Sequence, residues 1–272
     1  METRNNLAKL LSAGIMLTAL SPVVFGAVHS HAGPDSVAKF HPLCLGVLKQ
    51  WQEDGGAVDM QSCAQQYQSS EVLETAEGAY YAQRPKGQPG YMAYKPIGSL
   101  DDSMELLLVY DKRSQNPITS IYFIGKIPGA EMTRDFLTTI EEGGDRCLGG
   151  VSDARLLSAS LLEVDVNATV HQMLTFMDDS ASSNTSTVSF KPKNYQAYAC
   201  AGTITKNYDL LTNKMHYSKV SFTRDESRKV IDKSAVCYDQ YVAENLPENK
   251  VLDMTEYAQF LVDYKKSCGA VK

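Results

Sequence analysis

Apolar residues along this chain switch between a three-to-four-residue spacing and strict alternation, and the switches mark out its elements. Pro42 sits where a first helical residue needs no N–H. Cys44, Val47, Leu48 and Trp51 then share one helical face, and Gly55-Gly56 stops the run. Asp59 caps a second predicted helix with Met60, Cys63, Ala64 and Tyr67 on its apolar side. Together they predict an N-terminal helical hairpin stapled by Cys44 and Cys63. The two cysteines lie about 6 Å out of step along the helices, so that hairpin must be skewed.

Strands follow. Residues 79–83 and 91–95 flank the turn-rich stretch Pro85-Lys86-Gly87-Gln88-Pro89-Gly90. Residues 104–110 are apolar on nearly both faces, as a central strand covered on two sides would be, and 118–127 returns the chain after a turn. The short turns predict antiparallel neighbours. After Pro128-Gly129, the spacing of Met132, Phe136, Leu137 and Ile140 predicts a mid-chain helix that Gly143 terminates.

Residues 143–150, Gly-Gly-Asp-Arg-Cys-Leu-Gly-Gly, form a joint in the middle of the chain. Its glycines invite comparison with a phosphate-cradling loop, but no Lys-Ser/Thr pair or helix start follows to hold an anion. The stretch reads as a structural corner fastened through Cys147.

Beyond it, Leu162, Val164 and Val166 alternate with Glu163, Asp165 and Asn167, the pattern of a half-exposed strand. Residues 169–177 are read as strand and 178–186 as a small, polar loop. Further strands are predicted at 187–190, 196–205, 215–223 and 236–242, with a charged turn or short helix at 224–233. The last element has the clearest start signal: Asp253 with Glu256 three residues on makes a capping box. Tyr257, Phe260, Leu261 and Tyr264 form its apolar face, Lys265 and Lys266 suit its negative end, and Gly269 closes it.

The predicted fold is therefore α+β: mostly antiparallel sheet with an N-terminal helical hairpin, a mid-chain helix and a C-terminal helix, stabilised by disulfides. Each half runs strands first and a helix last. Residues 33–272 are expected to form a single domain, or two packed lobes at 33–142 and 151–272 joined at 143–150.

Residues 1–32 carry a different signal. Arg4 and Lys9 precede a mostly apolar run from 10 to 25, too short to span a bilayer and shaped like a secretory signal peptide. Ser30-His31-Ala32 offers a cleavage point, with Val24-Phe25-Gly26 the competitor. The full chain has a net charge of −6, and losing Arg4, Lys9 and Glu2 makes it more acidic. Without a basic block, a nucleic acid or an anionic membrane surface is a poor partner. No later apolar run approaches membrane length, which implies a soluble, secreted or periplasmic protein without a membrane span.

All six cysteines, Cys44, Cys63, Cys147, Cys200, Cys237 and Cys268, lie beyond the targeting segment. An even count behind such a segment implies disulfides. Cys44–Cys63, Cys237–Cys268 and Cys147–Cys200 are the expected pairs, and Cys147–Cys268 is the competing one, since each of those two follows a predicted helix end. No C-x-x-C pair suggests redox chemistry or zinc.

Catalytic motifs are missing from the sequence: no H-E-x-x-H, no G-x-S-x-G, no P-loop and no G-x-G-x-x-G. His41, His171 and His216 have no metal-ligand spacing, and no cofactor is implied. Glu163 and Asp165, about 7 Å apart on one strand face, would suit glycoside hydrolysis only if both lined a groove. Cleavage after Gly26 would expose Ala27-Val28-His29, which resembles the amino-terminal copper and nickel motif; cleavage after Ala32 removes it. Asn167-Ala168-Thr169 and Asn184-Thr185-Ser186 are formal glycosylation sequons.

What remains is a cluster of tyrosines around the Pro/Gly turn: Tyr80, Tyr81, Tyr91 and Tyr94, with Arg84 beside them. Tyrosine pairs a large apolar face with a polar tip and serves protein or glycan recognition. The sequence thus points to a non-catalytic, exported binding protein with a protein or surface-glycan partner. The alternative is a secreted hydrolase whose site is assembled only in the tertiary structure.

Overall fold

In a computed structural model of the chain, the residues described are 40–53, 58–101, 104–113, 117–126, 134–179, 200–224 and 233–269. Residues 1–32, the predicted strand at 187–190, the sequon at Asn184, most of the 178–186 loop and most of the charged stretch at 224–233 lie outside them.

The first part of the chain runs α1 (Cys44–Glu53), β1 (Val58–Asp59), α2 (Met60–Gln66), β2 (Val72–Glu74), β3 (Tyr80–Gln83), β4 (Tyr91–Asp101), β5 (Met104–Lys112), β6 (Pro117–Lys126) and β7 (Arg134–Asp145). Its strands form a seven-stranded sheet in the order β1-β7-β6-β5-β4-β3-β2. Each neighbouring pair is antiparallel, as the short turns require. Alternation along the strands then sorts the side chains. Met92, Tyr94, Leu107, Val109, Tyr122 and Ile124 face α1, where Leu45 and Leu48 cover them. Leu106, Leu108 and Ile121 occupy the opposite face. Both faces of β5 are therefore buried. Leu106 and Leu107 are each fully shielded from solvent, a burial that contributes ~1.5–3 kcal/mol per side chain.

The second part runs β8 (Val151–Leu156), β9 (Leu161–Ala168), α3 (Val170–Asp179), β10 (Gly202–Asp209), β11 (Lys214–Phe222), α4 (Lys233–Asn245), β12 (Val251–Asp253) and α5 (Met254–Cys268). Its five strands form a second antiparallel sheet, β12-β11-β10-β9-β8. Val166, Ile204, Val220 and Leu252 line up across four strands, and the next row is Asp165, Thr205, Lys219 and Asp253. One face is thus apolar and the other polar. The apolar face has two covers. Val151, Leu162, Val164 and Val166 meet Leu106, Leu108 and Ile121 of the first sheet. Ile204, Val220 and Leu252 pack instead under α3, α4 and α5, against Met173, Phe176, Tyr238, Tyr257 and Phe260. The sheets approach closely at Gly98 of β4: a Cβ there would come within 2.6 Å of the Leu156 side chain.

The corner at 143–150 carries the chain from β7 to β8. Gly143 adopts φ 58°, and a Cβ on it would lie 1.8 Å from the Thr119 carbonyl oxygen. The Val151 N–H donates to Thr119 Oγ1 at 2.6 Å, so β6 holds both sides of the turn. Cys147 is bonded to Cys200 rather than to Cys268. The other two bonds are Cys44–Cys63 and Cys237–Cys268.

Several expectations are corrected. The mid-chain helix is strand β7, paired with β6 from Ile118↔Asp145 to Lys126↔Asp135; Gly143 is a left-handed position near a bulge in that ladder, not a helix stop. Residues 169–177 form a helix rather than a strand. The Thr169 side chain accepts from the Gln172 N–H, and the Gln172 side chain accepts from the Thr169 N–H, a second capping box. Residues 236–242 belong to helix α4, whose Tyr238 and Val242 fall one turn apart in the core. Of the strand predicted at 196–205, residues 196–199 lie outside the described residues, and β10 runs from Gly202 to Asp209, four residues beyond the predicted end. With α3 interrupting the second part and a strand ending the first, the two halves do not share a topology. The C-terminal helix has its predicted capping box, with Asp253 accepting from the N–H groups of Thr255 and Glu256. Among the described residues, no helix is long and apolar enough to cross a membrane.

Candidate binding surface

The tyrosine cluster lies on the β3–β4 hairpin, and the pleat divides it. The ladder pairs Tyr80 with Tyr94, Tyr81 with Ala93, Ala82 with Met92, and Gln83 with Tyr91. Tyr80 and Tyr94 therefore point towards α1, and Tyr81 and Tyr91 towards the other face.

Tyr94 is a core residue, with 0% exposure. Its ring stacks on Phe40 at 4.5 Å. Its hydroxyl donates to the Phe40 carbonyl at 3.0 Å and accepts from the Phe40 N–H at 3.1 Å. Burial pushes its phenol far above the ordinary range, against the smaller pull of the Phe40 backbone bond. Tyr80 packs beside it at 5.2 Å; burial first, then Glu74 and Glu105, raise its phenol. These two tyrosines fasten the N-terminal segment to the sheet, and Tyr94 presents no surface to a partner. Arg84 is also engaged structurally. It lies on the Met92 side, 2.5 Å from Asp111, which holds Arg113 at 2.9 Å as well.

Tyr81 and Tyr91 stay together on the face away from α1. Their rings are 4.8 Å apart, the Gln83 amide donates to the Tyr81 hydroxyl, and Lys112 Nζ lies 5.7 Å from the centre of the Tyr91 ring. Both are half-buried, and neither belongs to any of the three apolar cores. Strand pairing extends the patch to residues that sequence reasoning missed. Leu73 is opposite Tyr81; Tyr110, opposite the buried Ala93, packs at its inner end against the core between the sheets. Lys112 is opposite Tyr91. A row Leu73–Tyr81–Ala93–Tyr110 thus crosses four strands beside a second row, Gln83–Tyr91–Lys112. The signal for the added residues is parity across the hairpins, which becomes legible only once the register is known. Such a surface offers flat aromatic contact, an ammonium group and an amide.

The other chemistry-bearing groups are dispersed. His41 is buried; its Nδ1 accepts from the Leu43 N–H, and its Nε2–H donates to the Ser70 carbonyl at 2.9 Å. His171 is exposed on α3, and His216 is exposed on the polar side of β11. Glu163 and Asp165 do not line a groove with free carboxylates. Glu163 is held by Arg155 and by Lys219 at 3.2 Å, and Asp165 accepts from Thr205 Oγ1 at 2.6 Å. A further carboxylate, Glu141 of β7, joins the two sheets. It accepts from Lys206 Nζ at 2.8 Å and from the Tyr208 hydroxyl, both on β10. Burial and then the Glu141 charge push the Tyr208 phenol far upward, so it remains a hydrogen-bond donor. Among the described residues, no group of three or more His, Cys, Asp or Glu side chains is placed to hold a metal ion.

Comparison with protein-family models, with curated proteins and with solved structures gives no match.

Proposed function

We propose that the protein is an exported, non-catalytic binding protein whose protein partner docks on the Tyr81–Tyr91 face of the seven-stranded sheet. The observation that carries this reading is the Tyr81–Tyr91 pair, its rings tilted 45° to each other, outside every core and flanked by Gln83 and Lys112. Tyrosines of this kind supply contact area at low entropic cost, and partner surfaces are enriched in them. The three disulfides suit an oxidising compartment, in keeping with the secretory character of the first residues. Catalysis has less support, because the described histidines lie on separate elements and the paired carboxylates are neutralised by Arg155 and Lys219.

The test places a photo-crosslinking amino acid at position 91 and, as a control, at the exposed Leu211 in the exported protein. A discrete adduct is expected at 91 alone, weakened by Tyr81→Ala. Tyr81→Ala and Tyr91→Ala should leave the melting temperature nearly unchanged, whereas Tyr94→Ala should lower it by several degrees, corresponding to about 3 kcal/mol. Equal labelling at 91 and 211 would overturn the proposal.

A further inference from the structure

We infer that β2, the open edge of the seven-stranded sheet, accepts an extended basic segment of a partner protein as an added strand. This deepens the binding reading above, on which it rests, by naming the kind of partner.

Among the described residues, strand β2 is outermost in its sheet and pairs only with β3, through Val72↔Ala82, Leu73↔Tyr81 and Glu74↔Tyr80. Just beyond it, the Thr75 N–H donates to the Ala79 carbonyl at 2.8 Å. Alternation along an antiparallel ladder makes Leu73–Tyr81 the next bonded pair. The N–H and C=O groups of Val72 and Glu74 consequently point away from the sheet, offering two donors and two acceptors to an incoming strand. Every residue from Glu71 to Glu77 is exposed, with Val72 at 39% and Leu73 at 49%. Natural edge strands are blunted by shortness, charge, proline, lysine or a bulge. Here β2 is short, but its ladder to β3 runs without a register shift, and proline and lysine are both lacking.

The charge on this edge selects the occupant. Glu71, Glu74 and Glu77 are its only charged residues, and no Lys or Arg occurs between Tyr67 and Gln83. Two copies of β2 pairing with each other would gather the glutamates of both at one seam, so a second copy of this chain is disfavoured. A segment bearing lysine or arginine is favoured by the same field. The side chain opposite Leu73 would join the Leu73–Tyr81 row, while those opposite Val72 and Glu74 would lie on the α1 side. The edge therefore fits an extended segment with apolar residues towards Tyr81 and basic residues towards Glu74. This is strand addition, in which the main chain supplies affinity and alternate side chains supply specificity.

The test uses the full, oxidised, exported chain and a short end-capped peptide alternating lysine and valine, read by residue-resolved amide hydrogen exchange. Saturating peptide should slow exchange at Val72 and Glu74 by at least about tenfold and leave Leu73, already bonded to Tyr81, unchanged. A glutamate–valine peptide should bind about tenfold more weakly at low salt. The triple variant E71Q/E74Q/E77Q should erase that preference, and methylation of alternate peptide nitrogens should abolish protection. Val72→Pro removes one outward N–H without breaking a bond to β3 and should also abolish it; the glutamine variant serves if the proline variant fails to fold. No slowing at Val72 and Glu74, equal binding of the two peptides, or unimpaired binding of the methylated peptide would overturn the inference. If that happens while position 91 still forms its adduct, the edge is excluded and the binding reading stands. If the adduct is also missing, both fall.

Discussion

The two sheets solve the problem of burial differently. The seven-stranded sheet carries apolar side chains on both faces of β5, with α1 on one side and the five-stranded sheet on the other. The five-stranded sheet is apolar on one face only, yet that face serves two covers: the first sheet over β8 and β9, and three helices over β10 to β12. Its other face is held by side-chain ion pairs and hydrogen bonds among Arg155, Glu163, Asp165, Thr205 and Lys219. How many faces a strand buries thus follows its residue pattern. What covers a given stretch of one face is decided by the chain that follows.

The comparison can be broken most forcefully at the corner between the sheets. Replacing Cys147 and Cys200, which lie 53 residues apart, with alanine should cost about 4 kcal/mol in urea denaturation, because the unfolded chain regains a long loop. Hydrogen exchange should then rise at Val166 and Ile204 before it rises at Leu107; an equal rise in both sheets would show that they unfold as one unit. Next in size, Leu106→Ala and Leu107→Ala should each cost about 3 kcal/mol despite facing opposite ways. Asp165→Ala on the polar row should cost under about 1 kcal/mol. A small loss at Leu106 would refute the two-sided burial of β5.

The smallest effect lies at the start of α5. Asp253→Ala should cost about 1 kcal/mol in thermal melts, through loss of the capping box. A pH dependence accompanies it. The Lys250 ammonium and then the Asp253 N–H hold the Glu256 carboxyl below its usual pKa. Protonation therefore favours the unfolded chain: the contribution of Glu256 is complete above the ordinary carboxylate range and is lost as pH falls through its depressed folded value. Glu256→Gln should flatten that acid limb, and an unchanged limb would remove Glu256 from the account.

Much of this arrangement was legible in the pattern of residues. The double-sided run of β5, the alternation in β9 and the Asp253–Glu256 box all led to the observed elements. The failures share a cause, which is that some segments satisfy two periods at once. Met132, Phe136, Leu137 and Ile140 have helical spacing, but Phe136, Thr138 and Ile140 also alternate; pairing with β6, invisible locally, decided for strand. Residues 169–177 read as strand, and the signal missed was the Thr169–Gln172 box, of the same form as the one recognised at Asp253. The tyrosines were grouped by closeness in sequence, whereas the pleat sorted them by parity. Tyr80 and Tyr94 went inward and Tyr81 and Tyr91 outward, because the hairpin register set Tyr80 opposite Tyr94.

Asp253 holds two posts, as the last residue of β12, opposite Lys219, and as the N-cap of α5. No linker separates strand from helix, so the two are geared together like a rack and its pinion. A slip of β12 by one residue along β11 would move its end by a single strand step and turn its side chains to the opposite face of the sheet, carrying the start of the helix with it. Tyr257, Phe260, Leu261 and Tyr264 would then swing off the sheet together. The fit of one aromatic face therefore meshes with the register of a three-residue edge strand, and neither can shift without the other.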